Sequence, residues 1–179
     1  FLRKGHVMSK LAFIFPGQGA QKAGMGKDFY ENSEAARSFF DQAQKILDFD
    51  LKEMCFGEHE ELNLTEYTQP CMVSVCLAIV QELKKRGITP DITAGLSLGE
   101  YAAVAAAGGM NELDAIKLVR RRGILMQSTV PAGEGAMAAV LGLDAKKIEE
   151  ILESFENVWI ANYNCPGQIV ITGLTNEVQ

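Results

Sequence analysis

The chain has 179 residues, of which 47% are hydrophobic and 22% are charged, and its formal charge is -6. This composition is typical of a packed globular protein, and it excludes a disordered chain and a strongly basic surface for nucleic acid. The most apolar stretch, Cys71 to Val80, has about half the length that a bilayer-spanning helix needs, so no membrane segment is expected.

The four cysteines show no C-x-x-C pairing and are accompanied by only two histidines, so we expect no metal site. Without a secretory signal, the cysteines indicate reduced thiols in a cytoplasmic protein. Met8 offers a native start, and residues 1–8 are therefore interpreted as a leader or an expression remnant.

The first half of the chain alternates strand and helix patterns. Leu11 to Phe15 is a continuous apolar run that stops at a Pro-Gly pair, which predicts a strand buried on both faces of a sheet. Ser33 is expected to cap an amphipathic helix that continues to Leu47. Pro70 indicates the first turn of a buried helix that ends at Gly87.

A second strand is predicted at Ile92 to Gly95, followed by an Ala-rich helix from Leu98 to Ala107. Asn111 and Asp114 resemble a capping box that opens a helix through Gln127. Breakers at 131–135 predict a subdomain boundary, with one subdomain over 9–130 and another over 131–179. Beyond the boundary, strands are predicted at Ala136–Leu141, Val158–Ala161 and Gln168–Thr172, with a helix at Asp144–Phe155. This order is most of a split β-α-β pattern.

Gly95 to Gly99 fits the pattern G-x-S-x-G, for which roughly 0.06 chance occurrences are expected here. The pattern lies between a predicted strand and a predicted helix, where a strained turn requires glycine on both sides of the serine. Such a turn exposes the hydroxyl of Ser97 at a helix N-terminus and favours a nucleophile. The alternative is that Ser97 only caps the helix.

A Gly-rich loop, Phe15 to Gln21, follows the first strand and contains Gln18. Ligands of open α/β sheets bind at the carboxyl ends of the strands. An acyl-transfer site needs two donors aimed at the oxyanion, and the N–H of Leu98 with a donor from Gln18 could supply them. Taken alone, the loop also fits a tight turn without a catalytic role.

Six motifs, taken together, resemble the malonyl-CoA:acyl carrier protein transacylase family. They are FPGQGAQKAGMG (15–26), TQP (68–70), GLSLGEYAA (95–103), RRGILMQ (121–127), GAMAAVLGL (135–143) and NYNCPGQIVITG (162–173). The resemblance implies an α/β-hydrolase-like large subdomain with a ferredoxin-like small subdomain, both incomplete in this chain. It also implies a protein that is a monomer at full length.

The resemblance implies that Ser97 is the nucleophile, that Gln18 lies in the oxyanion hole, and that Arg122 binds the malonyl carboxylate. Periodicity alone does not choose among Arg120, Arg121 and Arg122, and a solvated helix face is expected for the first two. In this family, malonyl passes from coenzyme A to the serine and then to the phosphopantetheine thiol of acyl carrier protein. No cofactor is implied.

Two departures from the family pattern affect the expected activity. Leu96 occupies a position where the family more often has histidine, and the catalytic histidine of the family lies beyond Gln179. Because His6 and His59 both precede Ser97 and fit the base poorly, we expect this chain to be inactive and its full-length parent to be active. A serine thioesterase, a non-catalytic carrier-binding fragment and an acyltransferase domain of a polyketide synthase remain alternatives.

Overall fold

A computed structural model describes residues 10–130 and 133–179. The predicted leader, residues 1–8, and Pro131, at the predicted subdomain boundary, lie outside these ranges. The chain divides into two compact units between Met126 and Gln127. The division falls within the last turns of a helix, shortly before the breaker-rich segment, and the boundary expected from the sequence stays a prediction.

The first unit contains two strands and most of the helices. They are β1 (Ala12–Phe15), α1 (Lys27–Asn32), α2 (Glu34–Gln44), α3 (Leu51–Phe56), a 3-10 helix (Glu60–Asn63), α4 (Thr65–Lys85), β2 (Ile92–Gly95), α5 (Gly99–Ala106) and α6 (Glu112–Thr129), whose end passes the division. The predicted helices that follow Ser33 and Asn111 are confirmed with their caps. The Ser33 hydroxyl accepts from the Ala36 N–H at 3.1 Å, and Asn111 Oδ1 accepts from the Leu113 N–H at 2.9 Å.

The strands β1 and β2 form a parallel pair in which Phe15 is opposite Gly95. Because parallel strands end at the same edge, the segments that follow β1 and β2 lie side by side. The prediction that the first strand is buried on both faces is wrong. The Phe15 side chain is buried, but Ile14 is 79% exposed, because no described helix covers that face of the pair.

Helix α4 is the centre of the first core, and α2 and α5 pack against it. Fully buried side chains around it include Phe40, Leu51, Leu77, Ile116 and Val119. Each such side chain stabilises the fold by about 1.5–3 kcal/mol relative to exposure. Helix α5, which contacts α4, also contacts both β1 and β2, so the two strands are packed on this helical core.

The two ends of α4 differ in how well the sequence predicts them. The predicted stop at Gly87 is confirmed, since Gly87 has φ of 72° and Ile88 N–H donates to Leu83 O at 2.9 Å, which closes a Schellman motif. The predicted start at Pro70 is wrong, because the helix begins at Thr65 and carries the proline inside.

The second unit is a three-stranded antiparallel sheet with two helices. Its elements are β3 (Gly135–Leu141), α7 (Ala145–Leu152), β4 (Val158–Cys165), β5 (Gln168–Leu174) and α8 (Thr175–Val178). The strand order is β3-β5-β4, and Ile148 of α7 is buried together with Val158 and Ile169. The other face of the sheet leaves Met137 62% and Trp159 58% exposed. The predicted β-α-β-β order is confirmed.

Candidate active site

Ser97 lies in a strained turn between β2 and α5. Its φ is +48°, and it is the one non-glycine residue with a positive φ in the described ranges. A left-handed conformation costs an ordinary residue about 1–2 kcal/mol, so the surrounding structure must hold it in place. Two hydrogen bonds do so, from Leu96 N–H to Phe15 O at 3.1 Å and from Gly99 N–H to Leu96 O at 2.9 Å.

The glycines on both sides of Ser97 are required by close backbone contacts. A Cβ at Gly95 would lie 2.1 Å from the carbonyl carbon of Gly99, and a Cβ at Gly99 would lie 2.3 Å from Phe15 O. Any side chain at either position would overlap these backbone atoms. The predicted strand–turn–helix context of the G-x-S-x-G pattern is therefore confirmed.

Leu98 leads directly into α5, and its side chain is only 1% exposed. Its backbone N–H is among the first amides of the helix, which have no acceptor within the helix itself. Within residues 10–130 and 133–179, no acceptor outside the helix receives a hydrogen bond from this N–H either. The amide next to the serine is thus free to donate to a bound anion.

The loop that carries Gln18 lies against the serine turn. A Cβ on Gly17 would lie 2.9 Å from Leu96 O, so the loop backbone and the turn are in close contact. The Gln18 side chain is held by Thr65, because its Nε2 donates to Thr65 Oγ1 at 3.0 Å. The first turn of α4 therefore fixes the direction of the Gln18 side chain.

Arg122 extends from α6 to the serine hydroxyl. One of its terminal nitrogens lies 3.4 Å from Ser97 Oγ, the long end of the hydrogen-bond range. The guanidinium carbon also lies 5.5 Å from the centre of the Tyr101 ring, within reach of a cation–π interaction. The structure thus brings together Ser97 and Arg122, which are 25 residues apart in sequence.

The neighbouring arginines have different environments. Arg121 is exposed, as expected for a solvated helix face. The same expectation is wrong for Arg120, whose side chain is only 12% exposed. Arg120 donates to both carboxylate oxygens of Asp48, at 2.9 and 3.0 Å. Asp48 lies in the loop between α2 and α3, a contact that the sequence pattern of α6 does not reveal.

Gly123 allows α6 to approach the start of α4 closely. A Cβ at this position would lie 2.7 Å from Thr65 O and 2.8 Å from Glu66 Cα. A side chain here would crowd the α4 backbone, so glycine permits the close approach. The residue directly after Arg122 therefore contacts Thr65, the same residue that holds the Gln18 side chain.

No described histidine approaches the serine. His59 Nε2 lies 3.0 Å from Glu53 Oε1, and this pairing is consistent with the expectation that His59 is not the base. His6 lies outside the described residues. Within the described ranges, the side-chain hydrogen bond to Ser97 Oγ comes from Arg122.

The four cysteines are free thiols. A hydrogen bond with Cys71 and burial raise the pKa of Cys55 well above its usual value. Burial raises the pKa of Cys76 to about 11, so both thiols are protonated at neutral pH and unreactive. The described residues contain no cluster of three or more His, Cys, Asp or Glu side chains suited to a metal ion. Nor do they include a helix with the length and apolarity needed to cross a bilayer.

Three residues of the site were not identified from the sequence: Thr65, Tyr101 and Arg120. Tyr101 lies within the quoted GLSLGEYAA motif, so its position was visible although its contact with Arg122 was not. Pro70 was an indirect sequence signal for Arg120. A proline inside a helix leaves the carbonyl four residues earlier without its amide partner, so that carbonyl needs another donor, which here is the Arg120 side chain.

Comparison with known proteins gives results consistent with this site. Residues 12–179 match the family described as acyl transferase domain. A malonyl CoA-acyl carrier protein transacylase from Bacillus subtilis (strain 168) is 49% identical in an alignment of 177 positions that covers 96% of this chain and 56% of the relative. This chain therefore spans about half the length of the curated relatives it matches.

Solved structures are similar over the same part of the fold. The crystal structure of a malonyl CoA-acyl carrier protein transacylase from Clostridium perfringens superposes with a TM-score of 0.84 at 45% identity, covering 93% of this chain and 54% of that one. A type II PKS acyl-carrier protein in complex with its malonyl-transacylase gives a TM-score of 0.86 at 39% identity, covering 95% and 57%. Since the family match extends over residues 12–179, the chain belongs to the acyl transferase domain family.

Proposed function

We propose that this chain forms the front part of a malonyl-CoA:acyl carrier protein S-malonyltransferase of fatty acid biosynthesis. The observation that carries the proposal is the Arg122 guanidinium 3.4 Å from the Ser97 hydroxyl. A cation next to an acyl-accepting serine suits an acyl group that has a free carboxylate at its far end. Relatives with this activity in their names support the same assignment.

The reaction consists of two exchanges at Ser97. The serine oxygen attacks the thioester carbonyl of malonyl-CoA, the C–S bond breaks, the serine proton ends on the leaving coenzyme A sulfur, and the malonyl group stays on Ser97 as an ester. The phosphopantetheine thiol of the carrier protein then attacks the ester carbonyl, the C–O bond breaks, and the thiol proton ends on the serine oxygen. The N–H of Leu98 and a donor from Gln18 would stabilise the negative oxygen in each step.

Arg122 would hold the malonyl carboxylate through charge-assisted hydrogen bonds. Such a bond is worth about 1.5–3 kcal/mol, which corresponds to roughly 10- to 150-fold preference for malonyl over acetyl. Tyr101 would restrict the guanidinium to the serine side of α6 by a cation–π contact. No metal or cofactor takes part in this scheme.

We also propose the finer architecture implied by the family. The parallel strands β1 and β2 with their helices would belong to an α/β-hydrolase-like subdomain over 9–130. The order β3-β5-β4 places the first strand beside the third and the third beside the second, which supports a partial ferredoxin-like subdomain over 131–179. We further propose a cytoplasmic protein that is a monomer at full length.

The proposal is tested with the full-length protein that contains this segment. It should transfer malonyl from malonyl-CoA to acyl carrier protein, and mass spectrometry should locate one malonyl group on Ser97. Ser97→Ala should abolish both signals, while Arg122→Ala should reduce the malonyl-over-acetyl ratio of kcat/KM by 10- to 150-fold. Arg121→Ala is the matched control and should leave the ratio unchanged.

Two results would contradict the proposed function. Release of free malonate faster than transfer to the carrier would indicate a serine thioesterase. Saturable binding of acyl carrier protein without any acyl-Ser97 would indicate a non-catalytic carrier-binding protein. Unchanged selectivity in Arg122→Ala would remove the role proposed for the arginine and leave the serine chemistry intact.

A further inference from the structure

Arg120 is the most extensively bonded side chain of the arginine run. Besides its two hydrogen bonds to Asp48, it donates through one terminal nitrogen to Glu66 O at 2.8 Å and to Glu66 Oε2 at 3.1 Å. Its guanidinium carbon lies 5.1 Å from the ring centre of Phe49 and 5.0 Å from that of Tyr67. Such a set of contacts fixes the side chain in one conformation.

The bond to the Glu66 carbonyl has a specific cause in the sequence. In an α-helix this carbonyl would accept from the N–H of the residue four positions later, which here is Pro70. Proline has no N–H, so the carbonyl of Glu66 is left without its helical donor. Arg120 supplies the missing donor from another helix and leaves the carbonyl satisfied.

The first turn of α4 also contacts both the loop and the helix that carry residues of the candidate site. Thr65 accepts from the Gln18 side chain, and the backbone of Thr65 and Glu66 is in close contact with Gly123. Arg122 lies between Arg120 and Gly123 in sequence. Arg120, two residues before Arg122, and Gly123, directly after it, therefore both contact this turn.

We propose that Arg120 is a positioning residue, which fixes the first turn of α4 against α6 and thereby sets where Arg122 and Gln18 lie relative to Ser97. This role rests on the proposed function, because its consequence is the selectivity for a malonyl group. Arg120 itself does not touch the substrate in this proposal. A displacement of about 1 Å at a reacting group can reduce rates by about 100-fold, so a shifted turn has a measurable effect.

The test compares Arg120→Gln with Arg121→Gln in the full-length protein. Arg120→Gln should reduce the malonyl-over-acetyl ratio of kcat/KM by about tenfold or more, and Arg121→Gln should leave it unchanged. The ratio is independent of the fraction of folded enzyme, so a purely stabilising role for Arg120 would not change it. A wild-type ratio in folded Arg120→Gln would overturn the proposal.

A second variant tests the cause that we assign. Pro70→Ala restores an N–H that can donate to the Glu66 carbonyl, so it should recover part of the lost selectivity when combined with Arg120→Gln. Pro70→Ala alone is the reference for any cavity that the substitution creates. If the double variant is no more selective than Arg120→Gln, the carbonyl bond is not the cause and the proposal fails in this form.

Hydrogen exchange separates this proposal from the proposed function. Amides in the first turn of α4 should exchange about tenfold faster in Arg120→Gln and at the wild-type rate in Arg121→Gln, whether or not the protein transfers malonyl. A wild-type protein without transferase activity would overturn the proposed function, and the exchange rates would then decide the positioning role. Equal rates in both variants would overturn it.

Discussion

The turn around Ser97 and the arginine run on α6 contribute to the same candidate site by different physical means. In the turn, backbone atoms lie so close together that two positions accept only glycine. In the arginine run, three arginines follow one another, and their different roles depend on groups from the α2–α3 loop, from α4 and from the serine turn. The turn is determined by close backbone contacts, within itself and with the end of β1, whereas the roles in the run are determined by side-chain contacts.

This difference has a consequence for mutagenesis. A backbone overlap cannot be relieved by rotating a side chain, so changes in the turn should affect the whole fold. A side-chain contact can be lost while the helices stay in place, so changes in the run should act mainly on selectivity or on one hydrogen bond. The following predictions, ordered by expected size, test this contrast.

Gly99→Ala is expected to have the largest effect. The added methyl would lie 2.3 Å from Phe15 O and 2.8 Å from Pro16 O, and neither backbone atom can move without separating β1 from α5. We expect a loss of more than about 4 kcal/mol in the free energy of unfolding, or no folded protein. Circular dichroism during urea unfolding measures this loss.

Gly24→Ala is the matched control for Gly99→Ala. Gly24 has φ of +83°, and a Cβ there meets nothing within 4 Å. We therefore expect only the left-handed penalty of about 1–2 kcal/mol. Equal losses in the two variants would mean that backbone overlap does not distinguish the serine turn.

Gly123→Ala should have an intermediate effect. Alanine is the better helix former by about 1 kcal/mol, but its methyl would lie 2.7 Å from Thr65 O, and overpacking costs about 1–3 kcal/mol. The net effect should be a loss of up to about 2 kcal/mol, measured by urea unfolding, with Lys117→Ala on the exposed face of α6 as control. A stabilised Gly123→Ala would show that α6 and α4 can separate freely.

Asp48→Asn should have a smaller effect that depends on pH. The hydrogen bond from Arg120 holds the pKa of Asp48 below its usual value, so the charged carboxylate stabilises the fold. This contribution is complete above the unfolded pKa near 4 and is lost as pH falls through the folded pKa. Since the Asp48 side chain is 68% exposed, solvent weakens the pair.

Urea unfolding at a series of pH values below 5 tests the Asp48 prediction. The decline in stability with acid should be less steep in Asp48→Asn than in the wild type. Glu31→Gln, which removes an exposed carboxylate, is the control and should keep the wild-type slope. Identical slopes in all three proteins would indicate that the bond between Arg120 and Asp48 contributes nothing to stability.

Arg121→Ala should have the smallest effect. Its side chain is exposed, and substitutions at such positions usually change stability by less than about 0.5 kcal/mol. Thermal unfolding provides the measurement. A loss above about 1 kcal/mol would mean that Arg121, like Arg120, makes contacts that stabilise the fold, and would contradict the difference described between these two residues.

Much of the fold follows from the sequence where local patterns are strong. The strand at Ile92–Gly95 and the caps at Ser33 and Asn111 were predictable because strand periodicity and capping are local properties. Helix α1 was not, because its six residues are too few to be stable without tertiary contacts. The exposed Ile14 was also unpredictable, since an apolar run does not reveal which of its faces is covered.

The candidate site shows the same division. Ser97 was identified because a strained turn restricts the residue types around it. The assignment of Arg122 came from family resemblance, because the helical spacing of α6 does not distinguish which of the three adjacent arginines binds the substrate. The buried position of Arg120 depends on Asp48 and Glu66, which lie 72 and 54 residues away in sequence. Contacts over such separations cannot be inferred from periodicity.

Pro70 also has a consequence for the order of folding. A helix normally completes its first turns with bonds between residues four apart, which form early and at little entropic cost. Here the donor to the Glu66 carbonyl is Arg120, which lies 54 residues later in the chain. The hydrogen bonds of this turn are therefore complete only after α6 has packed against α4. We therefore expect the first turn of α4 to have low φ-values in folding kinetics and to form with α6 as one cooperative step.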